Sequence, residues 1–108
     1  MSDMRFKEFL RASLKEVIGS EDIKKLFEVL CKNTSDFYNG RQVNFCERFT
    51  KRIEYVTGYG EESFIPQEKI ELDGRYLVLL QGFEDVPDCE RELLVSLFKI
   101  AAASSKIK

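Results

Sequence analysis

With 108 residues, 44% of them hydrophobic and 33% charged, the chain is sized and composed for one globular domain over residues 1–108. Seventeen basic and nineteen acidic residues interleave to a formal net charge of −2, so no one-signed patch favours nucleic acid. The absence of histidine excludes imidazole general-base chemistry, Ser-His and Cys-His nucleophiles, His-ligated haem and mixed Cys/His zinc sites.

Phe6, Phe9, Leu10, Leu14, Val17 and Ile18 recur at helical spacing, with Lys7, Arg11 and Lys15 opposite, which predicts a first helix over about 3–18. Ser2 or Asp3 is expected to cap it, and Gly19 suits a left-handed residue after the last turn. Ser20 then caps a second helix over about 21–33, with Glu21 and Asp22 in its first turn. The apolar stripe of that helix is Ile23, Leu26, Phe27, Leu30 and Cys31, and Tyr38-Asn39-Gly40 reads as a turn. From Gln42 the period shifts towards two. Val43, Phe45 and Phe49 alternate with Asn44, Cys46 and Arg48, and Ile53 and Tyr55 continue in a second strand. Residues 42–56 also fit a helix, because Phe45, Phe49, Ile53 and Val56 follow a spacing of four, four and three.

Phe64 to Leu72 resumes as a strand, and Pro66 places that end at an edge or bulge. Asp73-Gly74 between apolar runs predicts a tight hairpin with both residues at positive φ. Tyr76-Leu77-Val78-Leu79-Leu80 has no alternation, as expected of a central strand covered on both faces by helices. Asp88 is placed to cap a last helix over about 88–105, with Glu90 and Glu92 in its opening turn. This helix carries two apolar rows: Leu93, Leu97 and Ile100, then Leu94, Phe98 and Ala101. The fold class that follows is α+β, an antiparallel sheet of about four or more strands in the order α-α-β-β-β-β-α.

No cluster of residues declares a chemistry. The cysteines Cys31, Cys46 and Cys89 are odd in number, widely spaced and without a CxxC pair, which fits a reduced, cytoplasmic chain and no structural zinc. The first residues lack the apolar core of a signal peptide, and no apolar run is long enough to cross a bilayer. Cys31 reads as core. Cys89 near a helix start gains from the dipole, but Asp88 and Glu90 oppose ionisation, so an incidental thiol is the simpler reading. Gly58-Tyr59-Gly60 lacks the context of a phosphate loop, and the carboxylates Glu84, Asp85, Asp88, Glu90 and Glu92 lack the calcium-loop pattern. No metal and no cofactor is expected.

The phrase Phe64-Ile65-Pro66, followed by Ile70-Glu71-Leu72-Asp73-Gly74-Arg75-Tyr76-Leu77-Val78-Leu79-Leu80, resembles the latter half of a GAF domain. The helix Glu90-Arg91-Glu92-Leu93-Leu94-Val95-Ser96-Leu97-Phe98-Lys99-Ile100-Ala101 continues the likeness, which covers about residues 64–107. The resemblance implies profilin-like α/β/α layers, with the first and last helices paired on one sheet face and supplying a dimer interface. It also implies a small-molecule pocket on the opposite face. The chain departs from the pattern in its short Tyr55–Phe64 stretch and in lacking the Asn-Lys pair of the cyclic-nucleotide motif near Gly82-Phe83. It also has neither histidine nor a cysteine cluster.

Three functional expectations follow. The first is a non-enzymatic GAF-like regulatory module of a signalling or transcription-control system. It would form a homodimer through its terminal helices, at Leu93, Leu97, Ile100, Phe6 and Leu10, beside a partner carrying an output domain. The alternative use of those rows is internal packing. The second is a small-molecule sensor, for an anion or nucleotide, with Asn44, Cys46 and Arg48 lining the pocket and Arg48 as anion anchor. The third is a thiol-dependent redox enzyme using Cys46 or Cys89.

Overall fold

The computed structural model describes residues 2–20, 22–62 and 66–107, with side chains for all of these except 2, 3 and 105–107. Among them the elements run α1 (Ser2–Gly19), α2 (Ile23–Phe37), β1 (Val43–Phe49), β2 (Arg52–Tyr59), β3 (Gln67–Glu71), β4 (Tyr76–Gln81) and α3 (Asp88–Ile107). The strands form one antiparallel sheet in the order β2-β1-β4-β3. This is the expected α+β fold in the expected element order. None of the described helices is long and apolar enough to cross a membrane.

The element ends depart from expectation for local reasons. Gly19 is the last residue of α1 and does not adopt a left-handed φ. The cap of α2 is Asp22, whose Oδ1 accepts from the Lys24 amide at 2.9 Å, while Ser20 Oγ donates to the Asp22 carbonyl. The expected roles of Ser2, Asp3 and Glu21 fall outside the described side chains. Helix α2 runs past 33 because Thr34 and Ser35 are buried against the core. The left-handed exit comes at Asn39 (φ 62) and Gly40 (φ 82), and the Gly40 amide donates to the Ser35 carbonyl at 2.7 Å.

Over residues 42–56 the period of two prevails, and β1 and β2 form a hairpin with Thr50 held at φ 52. Strand β3 begins after Pro66 at Gln67, and Phe64 and Ile65 lie outside the described residues. Neither Asp73 nor Gly74 takes a positive φ. The Asp73 carboxylate instead accepts from the Arg75 and Tyr76 amides, each at 2.7 Å, so a side chain closes a wider turn.

All three helices gather on one face of the sheet. Helix α2 lies across β1 and β2, α3 packs beside it, and α1 rests on both helices. Phe27 of α2 stacks on Phe45 of β1 with ring centroids 3.8 Å apart and meets Phe98 of α3 at 6.2 Å. Phe6, Phe9 and Phe37 form a second aromatic group where α1 meets α2. From β4, Tyr76, Val78 and Leu80 enter this core, whereas Leu77 points to the opposite side. Among the described residues no helix covers that side, so the expected covering of β4 by helices on both faces, and the α/β/α layering that the GAF resemblance implies, give way to helices on one face only.

Candidate functional site

The helix-free face is assembled by alternation along β1, with a bulge at Val56 shifting the alternation of β2. Asn44, Cys46 and Arg48 of β1 lie opposite Gly58, Tyr55 and Ile53 of β2. On the other side Asn44 and Cys46 face Leu79 and Leu77 of β4, which in turn face Lys69 and Glu71 of β3. The three residues expected to line a pocket therefore do share one face. Asn44 and Arg48 are each already engaged by a neighbour, and Cys46 is buried. A Cβ on Gly58 would fall 2.1 Å from Asn44 Oδ1, so that amide lies flat over the glycine. Cys46 is 2% exposed, and burial raises its thiol pKa. Arg48 is ion-paired with Glu71 of β3. The pair passes over β4, and the residue beneath it, Leu77, is 0% exposed without any helix above it. Arg48 thus acts as a strap whose stem and charge partner cover an apolar side chain.

Thiol chemistry finds little support in the geometry. Burial pushes the Cys31 thiol up to about 12, so it and Cys46 stay protonated at neutral pH. Cys89 is exposed at the start of α3. Nearby Tyr38 donates to Glu90 at 2.8 Å, and burial with that hydrogen bond raises the phenol pKa.

A cleft of about 440 Å³ opens at one end of the sheet, lined among others by Arg41, Glu61, Glu62, Gln81, Glu84 and Asp85. Its cation is spent: Arg41 makes a bidentate pair with Asp85 at 2.6 and 3.0 Å, which lowers the Asp85 pKa. Gly60 at φ 108 permits the close approach there, since a Cβ would fall 2.5 Å from the Arg41 carbonyl oxygen. Among the described residues no group of three or more Cys, Asp or Glu is disposed to hold a metal ion.

The residues expected at a terminal-helix interface separate into two sets. Leu97 and Phe6 are 2% and 5% exposed and belong to the core, with Leu10 packed against it. Leu93 and Ile100 are 47% and 51% exposed. The reason is angular: four residues advance about 40° beyond a full turn, which swings Leu97 from the row of Leu93 towards Leu94, Phe98 and Ala101.

The two margins of the sheet carry the remaining surface features. Strand β3 is short, follows Pro66, and has Glu68 ion-paired with Arg91 of α3 and Glu71 with Arg48. Strand β2 is longer, contains no proline, and exposes Ile53, Tyr55 and Tyr59, with Phe49 exposed beside its hairpin turn. A bulge at Val56 interrupts its register with β1, leaving Arg52–Tyr55 as the regular stretch. Sequence reading placed Ile53 and Tyr55 on a strand but missed this margin. The signal was present as Arg52-Ile53-Glu54-Tyr55, charge alternating with apolar bulk. Comparison of the chain with protein-family models, with curated proteins and with solved structures finds no match in any of the three.

Proposed function

We propose that this chain is a non-enzymatic regulatory module that acts by associating with a second copy of itself. One observation carries the reading. Among the described residues the large apolar side chains that stay exposed are Phe49, Ile53, Tyr55 and Tyr59 on the β1–β2 hairpin, and Met4, Leu14, Ile18, Leu93 and Ile100 on the terminal helices. Ile53 and Tyr55 share the helix-free face, while Leu14 with Ile18 and Leu93 with Ile100 each share a side of their helix, and exposed apolar side chains grouped in this way characterise interaction surfaces. The polar groups add weight by default. Arg48 and Arg41 are each neutralised by a carboxylate, and two of the three thiols are buried.

The proposal includes the GAF-like resemblance of the later half and a signalling role in a cytoplasmic setting, to which the unpaired cysteines are suited. An anion sensor centred on Arg48 has less behind it, since a ligand would have to displace Glu71 and uncover Leu77. Light scattering across the micromolar range tests the reading. The expected result is a species of twice the 12.6 kDa chain mass that dissociates on dilution. A strict monomer at high micromolar concentration overturns it.

A further inference from the structure

The geometry points to β2 as the pairing element: we infer that two copies join edge to edge, antiparallel, about a two-fold axis at Ile53. This rests on the self-association proposed above and names its surface and register.

An exposed strand edge presents unpaired backbone donors and acceptors, and natural sheets blunt such edges with proline, short length and charge. The β3 edge has all three devices. Pro66 precedes it, it spans five residues, and its acidic side chains are held by Arg48 and Arg91. The β2 edge spans eight residues, has no proline, and is backed by α2, so it is held in place and ready to receive a strand. It carries the charges Arg52 and Glu54, of opposite sign and so able to pair across a two-fold axis, and a bulge at Val56 that confines regular pairing to the hairpin end.

Within that stretch the register follows from charge. Directly opposed residues must share a sheet face, so a two-fold axis passes through a residue that opposes itself. An axis at Arg52 stacks arginine on arginine, and one at Glu54 stacks glutamate on glutamate. An axis at Tyr55 sets Glu54 against the bulged Val56 and leaves Arg52 facing Gly58. An axis at Ile53 sets Arg52 against Glu54 of the second copy twice over, and Ile53 against its counterpart on the helix-free face. Tyr55 then lies across from Lys51. Opposite charges directly across a ladder stabilise pairing and like charges oppose it. Within one chain Arg52 and Glu54 already pair at 2.8 Å on the exposed edge, a contact of little worth by itself.

Analytical ultracentrifugation of charge-reversal variants tests the register. Arg52→Glu and Glu54→Arg singly each create two like-charge contacts and are expected to weaken the dimer about tenfold. The double reversal R52E/E54R is expected to restore it, with circular dichroism and thermal unfolding confirming that all three variants fold. If the single reversals leave the dimer intact while L93D/I100D dissociates it, the β2 inference fails and self-association stands. If the unaltered chain is monomeric, both fail.

Discussion

The two edges of this sheet, β2 of eight residues and β3 of five, are treated differently. At β3, a proline, a short span and two ion pairs close the edge, and the Arg48–Glu71 strap also shields Leu77. At β2, α2 supports the strand from beneath while Ile53 and Tyr55 stay exposed above. A chain that protects one edge with several devices and leaves the other largely open assigns them different roles. The difference shows where rigidity and availability coincide, which is the condition for binding without a large ordering cost.

The comparison breaks most sharply if the support under β2 is removed. Phe27 is fully buried and stacked on Phe45, so Phe27→Ala is expected to cost about 3–5 kcal/mol in denaturant unfolding. It should weaken association as well, because the edge loses its backing. A loss below about 1 kcal/mol would show that α2 does not anchor the hairpin. The same helix supplies a pH response. The Cys31 thiol, pushed up to about 12 by burial, keeps its proton in the folded state where the unfolded chain would ionise above about 9. Stability contributed by the protonated thiol is therefore complete below about pH 9 and is lost as pH rises towards 12, by up to about 4 kcal/mol. Cys31→Ala should lessen that alkaline decline, to which Cys46 and Tyr38, whose pKa values are also raised, add in the same direction. An unchanged slope would place the titration elsewhere.

The β3 side gives smaller effects that sharpen the contrast. Leu77→Ala is expected to cost about 2–3 kcal/mol although no helix covers it, because the residue is fully buried beneath Arg48 and Glu71. Arg48→Ala should cost about 1 kcal/mol or less through lost covering of Leu77, with the exposed ion pair adding little. Equal costs for Leu77→Ala and Tyr55→Ala would contradict the distinction between a strapped side and an open one.

Much of this was legible in the residues. The alternation of Val43, Phe45 and Phe49 with Asn44, Cys46 and Arg48 marks a strand and fixes which side chains share a face. The helical stripes and the element order follow from periodicity in the same way. The turns and caps were less legible because competing side chains decide them. Asp73 closes its turn with its own carboxylate, which removes the need for positive φ, and Asp22 takes the cap from Ser20. Strand order was hidden, since no local pattern states that β4 inserts between β1 and β3. That order alone makes β2 an edge and brings Glu71 within reach of Arg48. The fate of Leu97 depended on an angle of about 40° that a row of apolar residues does not reveal.

Amide hydrogen exchange along the two edges, measured at protein concentrations that span dissociation, tests the central claim most directly. Edge-to-edge pairing predicts that the outward-facing amides of Lys51, Ile53 and Tyr55 exchange more slowly as concentration rises, while those of Gln67 to Glu71 do not change. Equal, concentration-independent exchange at both edges would contradict it.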